Sequence, residues 1–486
     1  MRRSIIITGI SLILLILYQC TAPEGITWQH GGQDGAELVV TASRFGIAHP
    51  PGYALYNALG WLSMRLPIGT LADRLLVTSH LYAIGAALLL SAIAARLLPD
   101  YGRGMALPAA VMLALGWTLW SQAIIVEVYA LLMLLFCAAW LVCLPVSDRS
   151  AHPARPFWAG LILGLAITHH LSALLWIPGL IVIYGRWTRA DCARLVGGAV
   201  IGLIPIGVLM LRAGVHPEAN WGGLETGLHA LIDHLTGRIY QGYLVAAAPN
   251  GFAEAIRDWV IGVPKEISIV GVRLVLVGLI AMVWRREFRL LMGMALWTLL
   301  LITLTALYRA EDTREVYRLP LSAVLVLCVV YGIAALMTWR RWAGWLFATG
   351  IIVALVMTNL PAVTLRGERA AYAYLDELHS IAPAGSIIVT GSTRPTFTIW
   401  YAVYADSIGH SGTWIPIDRT LWRFDWYRRN LDRLYPYLAP FDGTLERWLR
   451  SPRVGSRIIV SDQSLLPPDG RTVVRQGEWS VMEDRE

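Results

Sequence analysis

A succession of long apolar runs constrains this chain more than any other feature. They fall near residues 4–20, 75–97, 105–122, 126–145, 157–171, 172–185, 194–212, 267–284, 290–308, 319–338 and 342–360. A helix needs roughly 20 such residues to cross a ~30 Å hydrocarbon layer. The helix is also the one single-segment form that satisfies every backbone polar group there. The 486 residues are 56% hydrophobic and 15% charged, against roughly 25% charged in soluble domains. The expected fold is an α-helical polytopic membrane protein with about 11 transmembrane helices.

The formal charge of +7 does not argue for a nucleic-acid partner. It is almost all arginine, Lys265 being the sole lysine, and many of the arginines sit in short loops between apolar runs. With the N-terminus in the cytoplasm, the inner loops hold Arg96 and Arg103, then Arg149 and Arg155, then Arg186, Arg189 and Arg194. Arg285, Arg286 and Arg289 follow, and finally Arg340 and Arg341. Every short inner loop carries at least two positive charges, as orientation in a bilayer requires. An odd number of crossings leaves the C-terminus outside, which reads as a multi-pass protein of the cell (inner) membrane. The start of the chain, Met1-Arg-Arg before an apolar run, has the look of a signal peptide. No small-residue cleavage site follows, so an uncleaved first helix is expected. Five cysteines, mostly in or beside apolar runs, do not make a disulfide framework.

The outer face receives loops at about 21–73, 213–266 and 309–318, and the tail after 361. The first loop reads partly as an interfacial helix, with Val39, Val40 and Phe45, then Leu55, Leu59, Leu62 and Leu66, alternating with polar positions. The tail is richer in charge and lacks a span. Ser386–Thr390, Trp414–Asp418 and Arg457–Ser461 read as strands, and 368–378 and 396–404 as helices. Residues 1–360 are thus expected to form the membrane domain with its outer loops. Residues 361–486 are expected to form a small extracytoplasmic α/β domain.

Ionisable residues next to spans, inner-loop arginines apart, gather on the outer side. They are Asp34, Glu37, His49, Glu127, His169, His170, Asp312, Glu315 and Arg318. Charges at a membrane rim are costly and mark function more often than chance. Asp34 and Glu37 are three residues apart, so a helix starting there puts both carboxylates on one side. They can supply a general base, or Asp34 can cap the helix with Glu37 completing a capping box. His49-Pro50-Pro51-Gly52-Tyr53 is a stiff turn that can hold His49 at a fixed height, or be a structural turn only. Glu127-Val-Tyr129 and His169-His170 lie between later spans. The histidine pair falls short of the three or four ligands a zinc site needs, so no metal is expected to be required. Arg309, Arg314, Arg318 and Arg238 offer the planar donor fork suited to phosphate, or snorkel toward headgroups.

The stretch Asp34-Gly-Ala-Glu37-Leu38, Gly46-Ile-Ala-His49-Pro-Pro-Gly-Tyr53 and Leu55-Tyr56 is similar to the opening of a bacterial membrane family related to the eukaryotic transmembrane O-mannosyltransferase of plexin-type receptors. Shorter matches are Glu127-Val-Tyr129, Thr168-His-His170, Asn220-Trp221-Gly222, Thr236-Gly-Arg238-Ile-Tyr240 and Tyr317-Arg318-Leu-Pro320. The family often has a small polar residue after the aspartate, where this chain has Gly35-Ala36.

The resemblance implies a GT-C glycosyltransferase. Such an enzyme moves a sugar, mannose or another hexose or pentose, from a polyprenyl-phosphate donor to an acceptor hydroxyl, with inversion. The acceptor is protein Ser/Thr, a glycan or a lipid on the extracytoplasmic side. Carried over, Asp34 becomes the base and Glu37 its partner. His49, Tyr53, Glu127, Tyr129, His169, His170, Asn220, Trp221, Arg238, Tyr240 and Arg318 become substrate-binding candidates. Arg318, then Arg238, with His170, face the donor phosphate. The alternative is a transporter or flippase of a lipid-linked glycan; such proteins usually show internal repeats and broken mid-membrane helices, and neither is visible here. A sensor with a ligand-binding tail is a third reading, which leaves the loop motifs unexplained.

Overall fold

The computed structural model describes residues 2–100, 102–144, 153–244, 251–308, 314–405, 413–451, 457–460, 471–476 and 479–484. Arg309 and Asp312, together with Arg149, lie outside these residues. The chain divides into two compact units. The first comprises residues 1–22, 77–206 and 238–366, and the second 23–76, 207–237 and 367–486.

The first unit is helical. Each apolar run read from the sequence is occupied by helix. Among the described residues, six helices are long and apolar enough to cross a membrane: Leu71–Leu97, Arg189–Arg212, Gly251–Trp284, Phe288–Leu307, Leu319–Trp339 and Arg341–Val363. The first and second of these reach into the other unit. Shorter apolar helices cover Ile5–Thr21, Ala106–Leu115, Tyr129–Cys143 and Leu171–Tyr184. Leu319–Trp339 is the hub, its residues from Leu319 to Ala334 buried almost without interruption. A helix hydrophobic all round is one that others surround.

Two features depart from the expectation. The loop placed at 213–266 ends early, because the helix that follows begins at Gly251 and runs to Trp284, kinked at Ser268 (φ 62°). Pro264 and the polar residues before it hid this helical start. The run at 194–212 lies in the segment Arg189–Arg212, whose helix is interrupted at Leu203 into Arg189–Gly202 and Ile204–Arg212. Arg189–Gly202 packs on Arg155–His169 through glycines. Cβ atoms added at Gly160 and Gly164 would run into the backbone at Leu195 and Ala199, and ones at Gly198 and Gly202 into that at Phe157 and Leu161. Four missing side chains let two helix backbones touch, the close approach typical of apolar helices that cannot rely on a hydrophobic driving force.

The second unit is α/β. Its five-stranded sheet has the order β2-β1-β3-β5-β4, where β1 is Ile387–Thr390, β2 Ile415–Asp418, β3 Arg457–Val460, β4 Arg471–Gln476 and β5 Trp479–Asp484. β1 runs parallel to β2 and β3, while β5 is antiparallel to β3 and β4. β1 is buried at every position, as a strand flanked on both sides and covered on both faces must be. Pro416 sits in β2, an edge strand, where its missing N–H costs no ladder bond. The sheet packs its Ile388, Ile459 and Val481 with Trp414, Trp479, Leu375 and Leu378. The three expected strands are present; β4 and β5 had no periodicity strong enough to read.

The opening loop lies in this same unit as two helices, Gly35–Arg44 and Ala54–Ser63, packed on each other. This corrects the interfacial reading of Val39 and Val40, which are fully buried in protein, although Leu62 on the second helix and Leu66 just beyond its end stay exposed.

Candidate active site

In the second unit the sequence folds the motif back on itself. Asp34 ends the 3-10 turn Gln29–Asp34 and stands at the N-cap of Gly35–Arg44. Its side chain makes no capping hydrogen bond, so the capping-box reading does not hold. Glu37, fully buried, accepts the backbone N–H of His49 through Oε1 (3.0 Å) and faces its ring Nδ1 through Oε2 (3.0 Å). Burial pushes the Glu37 carboxyl above its usual range, and His49 beside it pulls the other way. His49 Nε2 in turn lies 3.5 Å from Asp34 Oδ2. One imidazole therefore links a buried carboxylate to a partly open one, the Asp34 side chain being 29% exposed.

The turn after His49 sets this geometry. The Pro50–Pro51 peptide is cis, and Gly52 N donates to His49 O at 2.8 Å. Gly52 takes φ +90°, and a Cβ there would stand 2.8 Å from His234 Nε2. Tyr53 follows in the left-handed region and sets its ring edge-on to His49 at 5.2 Å. His234 is buried behind the turn, and that burial, with His49 nearby, pushes it down to about 3.

The 207–237 segment closes the other side. Ile47 N donates to Ala219 O (2.7 Å) and Trp221 N donates to Ile47 O (3.3 Å), pinning Asn220 and Trp221 next to the loop. The Trp221 ring lies 6.1 Å from His49, edge-on, and Phe397 stacks on His49 at 6.1 Å. The structure thus brings Asp34, Glu37, His49, Tyr53, Asn220 and Trp221 into one cluster. Phe397 and His234 complete it. Neither was singled out from the sequence: a phenylalanine far down the tail carries no local signal, and His234 lies in an ordinary amphipathic helix.

The remaining candidates lie in the first unit. The Glu127 carboxylate accepts its neighbour's Val128 N–H at 3.1 Å, and His169 Nε2 bonds Val128 O at 2.9 Å, so both fasten the turn before Tyr129. Tyr129, His170 and Tyr240 belong to one aromatic chain. Tyr317 meets His170 at 5.4 Å and Tyr129 at 6.2 Å, then Tyr308, Tyr243 and Tyr240 follow at 5.6, 6.1 and 6.4 Å. Arg318, next along from Tyr317, is buried and donates from Nη1 to Ala255 O and from Nε to Arg314 O, both at 3.1 Å. It borders a cleft of about 390 Å³ with Lys265, Glu266, Asp258 and Glu315. Lys265 Nζ stands 5.0 Å over the Trp117 ring, and Glu266 Oε1 accepts from Thr118 N and Oγ1. Arg238 is exposed, at the start of the turn Arg238–Tyr243. Sequence reading passed over Lys265 and Glu266; the only lysine of the chain was the available signal. Among the described residues, no group of three or more His, Cys, Asp and Glu is placed to hold a metal ion.

The family described as "Protein O-mannosyl-transferase TMEM260 N-terminal domain" matches residues 34–190, a stretch that opens on Asp34. The chain resembles the TMEM260 O-mannosyl-transferases. The match takes in Asp34, Glu37, His49, Tyr53, Glu127, Tyr129, His169 and His170. The TMEM260 protein of Dictyostelium discoideum is 25% identical over 299 residues, 56% of this chain and 36% of that protein. Mouse TMEM260 is 24% identical over 453 residues, 86% of this chain and 63% of that protein. The chain thus spans between about one third and two thirds of the TMEM260 lengths it matches. Its fold matches that of ArnT from Cupriavidus metallidurans solved with undecaprenyl phosphate, with a TM-score of 0.63 at 13% identity, covering 99% of this chain and 97% of that one. The apo form of the same ArnT gives 0.59 at 12% identity. The fold observed is therefore ArnT-like and mostly helical.

Proposed function

We propose that the protein is a membrane glycosyltransferase that moves a sugar from a polyprenyl-phosphate donor to an acceptor hydroxyl on the extracytoplasmic side, with inversion. Asp34 is the general base. The observation that carries this reading is the Glu37–His49–Asp34 line, which lies in the stretch that matches the TMEM260 O-mannosyl-transferase family. The ArnT-like fold, seen elsewhere with a polyprenyl phosphate bound, supports the donor class.

The reaction makes one bond and breaks one. The acceptor oxygen attacks the anomeric carbon from the face opposite the phosphate. The carbon–oxygen bond to the phosphate breaks, and polyprenyl phosphate leaves with the electron pair. The hydroxyl proton goes to Asp34, the more open of the two carboxylates. Glu37 holds His49 at two atoms, and His49 in turn fixes where the Asp34 carboxylate lies. In the first unit, Arg318 is the leading candidate for the donor phosphate, then Arg238, with His170. Glu127 and His169 shape the turn that presents Tyr129, and Tyr240 extends the same aromatic wall. No metal is required by this scheme.

The topology proposed with it has all eleven apolar segments crossing the membrane, the N-terminus in the cytoplasm and residues 361–486 as an extracytoplasmic domain beside a catalytic membrane domain of residues 1–360. The test is Asp34→Asn in the purified full-length protein. Transfer from a polyprenyl-phosphate sugar should fall by about 10²–10⁴-fold, the usual share of a general base, with the unfolding temperature unchanged. Transfer at the normal rate would remove Asp34 from the role.

A further inference from the structure

The unit that carries Asp34 holds a short helix that the scheme above leaves unused, Leu228–Leu235. Its apolar arc is wider than the surface the protein covers. Leu231 and His234 are buried, while Leu228 and Ile232, one turn apart on the same side, are 69% and 51% exposed. His229 and Asp233 form the polar side, paired at 3.2 Å. A short helix so divided between apolar and polar sides is suited to lie along a boundary between water and an apolar medium.

Two helices long and apolar enough to cross a membrane have an end in this same unit: Leu71–Leu97 starts there and Arg189–Arg212 finishes there. The two ends lie side by side. Arg212 stands over the Phe45 ring at 5.3 Å, Phe45 stacks on Trp61 at 5.1 Å, and Arg65 stands over Trp61 at 3.4 Å. Arginine and tryptophan at the ends of apolar helices mark headgroup level. Exposed apolar residues gather at the same ends: Leu62, Leu66 and Ile68 before the first helix, and Leu211, 80% exposed, at the close of the second.

The helix Leu228–Leu235 belongs to that depth. A Cβ built on Gly52 would stand 2.8 Å from His234 Nε2 and 3.2 Å from Leu209 Cδ1, so His234 and Leu209 flank the same point of the catalytic turn. Leu209 comes three residues before Arg212, roughly 4.5 Å further into the crossing helix. The buried side of the short helix therefore bears on the turn that follows His49. Its uncovered side, Leu228 and Ile232, is left where headgroups give way to acyl chains, and those chains take apolar surface out of water. Continuity with the two crossing helices thus names the occupant of this face as lipid.

We propose that Leu228–Leu235 is an interfacial helix that docks into the headgroup layer of the bilayer through Leu228 and Ile232, and so seats the catalytic turn on the membrane surface. Full-length protein on a cysteine-free background, in nanodiscs of phosphatidylcholine with a minor share of phosphatidylglycerol, tests it. An environment-sensitive NBD label is attached in turn at Leu228→Cys, Ile232→Cys, His229→Cys and, in the tail, Ser380→Cys. Labels at 228 and 232 should emit at shorter wavelength than the one at 380. They should lose most of their emission when the lipid carries a nitroxide near the top of its acyl chain, and be shielded from aqueous iodide. The label at 229, on the polar side, should be open to iodide. Iodide quenching at 228 and 232 equal to that at 380 would overturn the docking. Shielding from iodide without quenching by nitroxide lipid would overturn it too, since a protein surface, a second copy of this chain included, would then cover the face. Equal nitroxide quenching at 229 and 232 would mean immersion and not an interfacial helix. These readouts report position and not turnover, so they stand apart from the transferase reading, which fails on transfer persisting in Asp34→Asn.

Discussion

Both ring nitrogens of His49 face carboxylates, and the two carboxylates differ in their access to water: Glu37 has none, and Asp34 is part open. Glu37→Gln keeps the shape and removes the charge that fixes the ring. Loss of placement on the ångström scale costs on the order of 100-fold in rate. The expectation is a kcat fall of about that size, smaller than for Asp34→Asn, with substrate KM nearly unchanged; equal losses in the two variants would make Glu37 a direct participant. His234 gives a second prediction. Its folded-state value is pushed down to about 3 by burial and by His49, while an unfolded histidine titrates near 6.5. Between those limits the unfolded chain binds the extra proton. Stability contributed by neutral His234 is therefore complete above about pH 6.5 and lost as pH falls toward 3, at up to roughly 1.4 kcal/mol per pH unit. Thermal melting across that window should show a shallower decline in His234→Asn than in the native protein. At this scale the sequence was informative where partners are close along the chain. Asp34, Glu37 and His49 sit within one short motif, whereas Phe397 and His234 reach the site only through tertiary folding.

At the scale of elements, the pairing of Arg155–His169 with Arg189–Gly202 depends on what is missing from it. Gly164 faces Ala199 and Gly202 so closely that any side chain must push the backbones apart. Gly164→Leu should lower stability by about 1–3 kcal/mol, the range for overpacking, and Gly197→Leu, on open ground of the partner helix Arg189–Gly202, should not. Melting temperatures in detergent check the pair of variants; equal effects would mean the glycines matter for propensity alone. The apolar runs made the helices legible, because hydrophobic length is a local property. Their contacts were not, since a glycine reads the same whether it faces lipid or a neighbouring helix. The kinked start at Gly251 was hidden for a related reason: Lys265 and Glu266 look like a loop until Trp117 and Thr118 are seen to receive them.

For the whole molecule, the inner-loop arginines make a claim about sides that labelling can decide. On a cysteine-free background, Ser380→Cys in the tail should react with a membrane-impermeant thiol reagent in intact cells. Arg286→Cys, between the helices Gly251–Trp284 and Phe288–Leu307, should react only after permeabilisation. The reverse pattern would turn the protein over in the membrane and place the proposed chemistry in the cytoplasm. The residues after 361 stand apart in the sequence by their composition, richer in charge and without a long apolar run. That the opening loop joins the compact unit of the tail was not visible, because nothing in residues 23–76 names residues 367–486 as their partners.

That discontinuity bears on how the protein is made. The Asp34 loop leaves the ribosome long before its partners, for Thr27 bonds Glu368, Trp28 Nε1 donates to Thr398 Oγ1 at 2.9 Å, and His49 lies against Phe397. These partners are synthesised only after the last apolar helix, Arg341–Val363. The motif must therefore wait, unassembled, through the insertion of the whole membrane portion, a connection of very high sequence separation. A chain cut short at the tail would lose the scaffold of its first loop as well as a peripheral domain. The proposed active site is therefore completed only after the helix Arg341–Val363 has been made.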